Sequence, residues 1–286
     1  MAKYLDPKAD LTFKKVFGEH PNLVASLLNS LLPLPAGEEI ADIEYMSPER
    51  VPRTSIGKNS IVDVFCKTKD GRKFIVEMQM CWTADFKDRA LFNSAKVYVD
   101  QLEHAEDFSL LRPVYSLNLV DAIFEKDVPE FIHHYKVVHE KYTDKLIEGF
   151  HIVFVELPKF KPQSIADRKM AVLWLRFLTE INKTTEQVPD EFMESSEISQ
   201  AVKLVEESAY TREQLMGYDL FWDAVRVAKT LASAPERSYK AGKEAGLREG
   251  KEKLLQTARN LKAMKLTNEQ IAAATGLSVA EIDKFK

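Results

Sequence analysis

Two acidic side chains stand where acids are costly. The runs Ser60-Ile-Val-Asp63-Val-Phe-Cys-Lys67 and Phe74-Ile-Val-Glu77-Met-Gln79-Met80 read as apolar strands joined through a turn signal at Asp70-Gly71, and each carries a lone carboxylate. An isolated carboxylate in a half-buried strand costs free energy unless something compensates it. A divalent cation compensates two at once through the oxygen coordination it prefers. The chemistry that follows is metal-dependent phosphodiester hydrolysis. The other reading leaves the acids solvated or salt-bridged to Arg72 or Lys73.

The turn decides whether the two acids meet. Ile61, Asp63 and Phe65 share one strand face, and Ile75, Glu77 and Gln79 share one face of the next. A two-residue Asp-Gly loop pairs Asp63 with Met78 and sends Glu77 to the wrong side. A three-residue loop, Lys69-Asp70-Gly71 with Gly71 left-handed, pairs Asp63 with Glu77. That register alone separates a polar face from an apolar one, so it is the one expected. Directly opposed side chains have Cβ atoms roughly 4.5–5.5 Å apart, close enough to grip one Mg2+.

The positioning elements follow from periodicity. A first helix is expected over Asp10–Leu32, stopped by Pro33 and Pro35, and an edge strand over 40–52 ending at Pro52. Residues 84–106 read as an amphipathic helix with Phe92, Ala95, Val99 and Leu102 inward and Arg89, Asn93, Lys96 and Asp100 as a polar stripe. Strands are expected at 113–120 and 150–157, and the alternation of strand and helix argues for an α/β core. His133 and His134 read as surface residues of a loop-like stretch. From residue 164 the pattern turns helical, with a packed helix over 165–182 and one or two long helices over 211–264. Gly242, Gly246 and Gly250 recur every four residues there; such a stretch frays, packs its glycine face closely, or is a partly disordered linker. Thr267–Gln270 and Ser278–Glu281 are capping boxes around Gly276, giving a helix-turn-helix-like hairpin with Lys284 and Lys286 as its basic groups. It serves DNA contact, or packing and oligomerisation. The expected divisions are 1–163 core, 164–234 helical extension, 235–265 basic linker and 266–286 hairpin.

Composition excludes several classes. With 45% apolar and 29% charged residues among 286, the chain is an ordinary globular protein, and no apolar run reaches the ~20 residues of a membrane helix. The first residues lack a signal-peptide h-region, and Cys66 and Cys81 read as free thiols of a reducing cytosol, so a cytoplasmic protein without a membrane is expected. Net charge is −4, but residues 235–265 carry nine Lys/Arg against four Asp/Glu; this suits DNA held by the tail, or simply a soluble helix. There is no Gly-x-Ser-x-Gly elbow, phosphate-binding glycine loop or His/Cys zinc spacing.

Asp10-Leu-Thr-Phe13-Lys14-Lys-Val-Phe17-Gly18, Val62-Asp63-Val64, Val76-Glu77-Met78-Gln79, Arg89 and Tyr98, in this order, resemble the Rpn-type recombination-promoting nuclease/transposase family of the PD-(D/E)XK superfamily. Phe154-Val-Glu-Leu-Pro158-Lys-Phe160 and the Gly-Lys-Glu tail are similar too; the likeness covers residues 5–160 well and the tail loosely. It implies an α/β, restriction-endonuclease-like core, a mixed central sheet flanked by helices, with an α-helical C-terminal extension. It further implies a Mg2+-dependent DNA endonuclease, with Mn2+ as substitute. Asp63 and Glu77 would be metal ligands joined by the Met78 carbonyl, with Gln79 and Asp10 completing the catalytic set. Arg89 and Lys14 would hold the DNA backbone; otherwise they are surface charges, Asp10 a helix cap, and Tyr98 core packing. Gln79 departs from the superfamily pattern, where many members have lysine: glutamine orients by hydrogen bonds but brings no charge. That departure keeps open a catalytically weak or inactive DNA-binding or partner-binding protein, and the tail an assembly protein. A homodimer would suit two-strand cleavage.

Overall fold

The helix expected over Asp10–Leu32 is interrupted. Helix α1, Asp10–Phe13, runs into a π-helical turn at Lys14–Gly18, and α2, Pro21–Leu31, starts afresh with proline in its first turn. His20, before that proline, is extended (φ −123°, ψ 93°), because the proline ring disfavours the α conformation in the residue preceding it. This computed structural model describes residues 2–50, 60–103, 105–162, 169–265 and 267–284; Pro52, the start of the 165–182 helix and Lys286 lie outside them.

The central sheet runs from a two-residue edge strand to inner strands of seven and eleven residues and a seven-residue strand at its other edge. Strand β1 is Glu44–Tyr45, β2 Glu49–Arg50 and β3 Ser60–Ile61; β4, Val64–Lys67, and β5, Lys73–Gln79, form the hairpin. Helix α3, Phe86–Val99, then crosses to β6, Val114–Val120, followed by β7, Ile132–Val138, and β8, Leu146–Glu156. The order is β1-β4-β5-β6-β8-β7, with β5, β6 and β8 parallel and the outer pairs antiparallel, while β2 and β3 pair separately. His133 and His134 therefore lie in an edge strand rather than a loop, and His133 Nε2 is 3.0 Å from the buried Glu156 carboxylate.

Both faces of the sheet are covered, which corrects the expectation of a polar hairpin face. Val64, Cys66, Phe74, Val76, Leu117 and Val153 join Phe17, Leu28 and Trp174 in the main core, whereas Phe65, Ile75 and Val114 pack with Val97 of α3. Strands buried on both sides read as continuous apolar runs. The inward face of α3 is also not the expected one. Phe86, Ala90, Asn93, Ser94 and Val97 are buried, while Phe92 and Val99 are 44% and 68% exposed. Small Ala90 and Ser94 suit close approach to the sheet, and polar Asn93 turns inward because it has a partner there.

The later helices are α4, Lys169–Glu180; α5, Asp190–Glu194; α6, Ser196–Leu204; α7, Arg212–Ala263; α8, Asn268–Thr275; and α9, Val279–Ile282. The chain forms two compact units, Met1–Ala228 and Lys229–Lys286. In the first, Leu173, Trp174, Phe177 and Leu178 of α4 and Ile198 and Val202 of α6 belong to the same apolar core as the sheet. In the second, Ala258, Ile271 and Ile282 pack together; Thr267 and Gln270 cap α8 reciprocally, and Gly276 ends it at φ 73°. Around Gly242, Gly246 and Gly250 there is open space, so close packing of a glycine face is not what holds α7 there.

The hairpin register has one local cause. Pairing runs from Val64 opposite Val76 to Lys67 opposite Lys73, the Thr68 N–H donates to the Arg72 carbonyl at 3.0 Å, and Lys69-Asp70-Gly71 closes the turn with Gly71 at φ 88°. A Cβ on Gly71 would meet the Arg112 side chain at an ordinary 3.5 Å, so the cost of adding one is backbone strain. Gly71→Ala is expected to cost about 1 kcal/mol, read as a lower urea midpoint at unchanged slope. An unchanged midpoint would contradict the assignment.

Candidate active site

The ladder between β4 and β5 stops at Val64 and Val76, so Asp63 lies in a bend where the strand begins to diverge. By count it still stands opposite Glu77, and its Oδ2 accepts the backbone N–H of Met78 at 2.7 Å. The N–H and C=O of one strand residue project towards the same neighbour, so the Met78 carbonyl faces the gap that Asp63 borders. Glu77 is 7% exposed and its Oε1 accepts from Asn93 Nδ2 at 2.8 Å. Gln79 ends β5; its Oε1 accepts from Arg89 Nη2 at 2.7 Å and its Nε2 donates to the Cys81 carbonyl at 2.6 Å.

Helix α1 supplies another charge pair. Ala9, not Asp10, occupies the N-cap position, without a side-chain cap, and the half-exposed Asp10 carboxylate pairs with Lys14 at 2.7 Å. Both are near enough to act on Asp63. Burial pushes the Asp63 carboxyl up and the Asp10 charge adds to this, against the Met78 N–H, Lys14 and Arg89. Burial raises Glu77 to about 7, the Asn93 amide opposes the shift, and Asp63 reinforces it. Asp10, Lys14, Asp63, Glu77, Gln79 and Arg89 thus form one neighbourhood. Tyr98 packs on Phe150, ring centroids 5.0 Å apart, as a core residue.

Asn93 is the site residue that sequence reasoning left in a surface stripe. The spacing of Phe86, Ala90, Asn93 and Val97 carries the signal, being the i, i+4, i+7, i+11 face of a helix. Asn118, within the strand expected over 113–120, is a further residue beside the site that the sequence does not single out. It pairs in register with Glu77, is buried, donates its amide N–H to Val153 O at 3.1 Å, and keeps an unpartnered Oδ1.

Among the described residues neither Asp63 nor Glu77 has an ion pair, and no three His, Cys, Asp or Glu side chains converge as a metal cluster. A half-buried and a buried carboxylate with one backbone carbonyl nevertheless fit a hard divalent cation. Magnesium characteristically takes one or two carboxylates, keeps several waters, and accepts phosphate oxygens for the rest.

A mixed sheet flanked by helices, with acidic residues where β4 begins and β5 ends, is the architecture of a restriction-endonuclease-like core. The chain belongs to the PD-(D/E)XK nuclease family transposases, whose family model matches residues 7–224. Neither the comparison with curated proteins nor that with solved structures gives a match. No helix among the described residues is long and apolar enough to cross a membrane.

Carboxyls that titrate high in the folded chain bind protons the unfolded chain has already released. Stability from Glu77 is therefore fully present below its ordinary value of 4.5 and is lost as pH rises through about 7. In metal-free buffer the thermal midpoint of wild type should fall across that window more steeply than that of Glu77→Gln, which keeps an acceptor for Asn93. Parallel curves would refute the assignment.

Proposed function

We propose that the chain is a metal-dependent DNA endonuclease that hydrolyses phosphodiester bonds with Mg2+, for which Mn2+ substitutes. The observation that carries this reading is the pair of carboxylates, half-buried Asp63 and buried Glu77, raised by desolvation and without an ion pair among the described residues. Asp63, Glu77 and the Met78 carbonyl would hold the ion, and the ion would supply Lewis-acid polarisation of the phosphate and a water of lowered pKa. The Met78 N–H fixes the orientation of Asp63, and Asn93 does the same for Glu77.

Gln79 has a role that its lack of charge first obscures. Its Oε1 presents the Arg89 guanidinium at the end of β5, so the cation that lysine would bring at this position arrives from α3 instead. Arginine offers a planar fork of donors matched to phosphate oxygens. Lys14, tied to Asp10, adds a second positive charge that acts on Asp63. Contacts of this kind hold the backbone without reading sequence. Promotion of recombination through strand cleavage, action as a homodimer on two strands, and a cytosolic setting in which Cys66 and Cys81 stay free thiols belong to this reading. Gln79 also favours a second one, a nuclease fold that binds DNA with little or no cleavage.

Supercoiled plasmid should be nicked in Mg2+ and Mn2+ but not in EDTA, and Asp63→Ala and Glu77→Ala should abolish nicking. Asn93→Ala should slow it about tenfold, the scale expected when a partner that orients a metal ligand is lost. Folded wild type that cuts in no metal, while binding DNA as its variants do, would replace the endonuclease by the binding protein.

A further inference from the structure

Just beyond Gln79 the chain builds an aromatic surface that the carboxylate site does not use. Half-buried Trp82 lies flat on Phe124, ring centroids 4.0 Å apart and planes 12° from parallel. Its edges abut Phe86 and Phe154 at 5.7 and 6.4 Å, both near perpendicular. Among the described residues no second ring stacks on its other face. Lys87 Nζ lies 5.2 Å from the Phe124 ring centre and 5.9 Å from that of Trp82, and the Arg89 guanidinium that reaches Gln79 lies 4.7 Å from the Phe86 ring centre.

The segment that carries Phe124 is anchored at both ends. At one end the Asp121 N–H donates to the Gln79 carbonyl at 2.8 Å. At the other, Lys159 Nζ donates to the carbonyls of Glu125 and Val128 at 2.5 and 2.7 Å and pairs with buried Glu156 at 2.9 Å. Glu156 also accepts the Glu125 N–H at 3.1 Å. The Trp82–Phe124 stack is thus preorganised and lies at the end of the strand that carries Glu77; the Lys87 ammonium beside it is paired with the Glu125 carboxylate, which leaves the Arg89 guanidinium over Phe86 as the nearby cation without a carboxylate partner among the described residues. Every nucleobase has a π face and takes such a surface without sequence preference, whereas paired bases in a duplex are already stacked.

We propose that Trp82, backed by Phe124, stacks an unpaired base of the DNA strand beside the cleavage site, with Arg89 on its phosphates. The substrate is then DNA with an unpaired stretch, such as a bulge, flap or frayed end, rather than continuous duplex. The proposal rests on the endonuclease reading for its cleavage site, but binding tests it separately. Oligodeoxynucleotides carrying 2-aminopurine along an unpaired stretch, and paired controls of equal length, are titrated in EDTA. Wild type should quench the probe in the unpaired stretch and leave the emission of the paired one, already dimmed by stacking in the duplex, unchanged. Trp82→Ala should weaken binding to the unpaired strand about tenfold, with a smaller loss on duplex, and Trp82→Phe should keep most of it. Absence of quenching with wild type, or equal losses on both DNAs, would overturn the platform. An RNA strand of the same sequence bound equally well through Trp82 would overturn the assignment to DNA. Quenching that persists while no metal supports cleavage would sink the endonuclease reading and leave the platform standing; cleavage without quenching would do the reverse.

Discussion

Desolvation of two carboxylates that have no ion pair among the described residues is the constraint around which the site is arranged. A charged group taken from water into a packed sheet must be paired, hydrogen-bonded or neutralised by a proton. Here Asp63 receives one backbone N–H and Glu77 one side-chain amide, and both carboxyls are pushed upward. Such a pair is poorly stabilised by the protein alone. It is well matched to a ligand that brings two positive charges and its own waters. The local geometry follows from the same requirement: the ladder stops at Val64, which turns Asp63 across the gap to Met78 instead of into the packed layer where Phe65 lies.

Helix α3 lies at the centre of this arrangement. Its buried side joins apolar Phe86 and Val97 to the sheet and brings Asn93 to Glu77, and from the same helix Arg89 reaches Gln79. Structural packing and site construction are thus done by one amphipathic face. The absence of lysine at residue 79 becomes intelligible in that light, because positive charge can be delivered to a strand end by a neighbouring helix as well as by the strand itself.

Further along the sheet, the segment between β6 and β7 is held by ionic and backbone contacts, not by regular structure of its own. Lys159, Glu156 and His133 form a mostly buried set, and three carbonyls of residues 125–130 surround the ammonium within 3.4 Å. A buried ion pair contributes little net stability but penalises rearrangement heavily once formed. The effect is to fix one loop conformation at the end of the sheet where the acids lie.

Alternation of strand and helix, the Asp70-Gly71 turn and the acids at Asp63 and Glu77 were legible in the residues, because each depends on local conformational preference and on the spacing of neighbours in one hairpin. The three-residue loop followed from asking which register separates a polar face from an apolar one, and it is the loop observed although both faces are covered. The break at His20-Pro21 was equally local, although the apolar spacing on either side masks it. Other features depend on packing across the chain. Whether Asn93 or Phe92 turns inward is decided by what faces α3, and the partner of Asn93 is a carboxylate on another element. The edge strand over residues 132–138 forms through pairing with β8, and the helices beyond residue 169 join the sheet's core through contacts distant in sequence. The types and order of the acids are thus written in the chain itself. Their desolvation, their partners and the cation that Gln79 holds beside them exist only once the sheet and helices have closed around them, since burial and Coulomb interaction depend on distance in space.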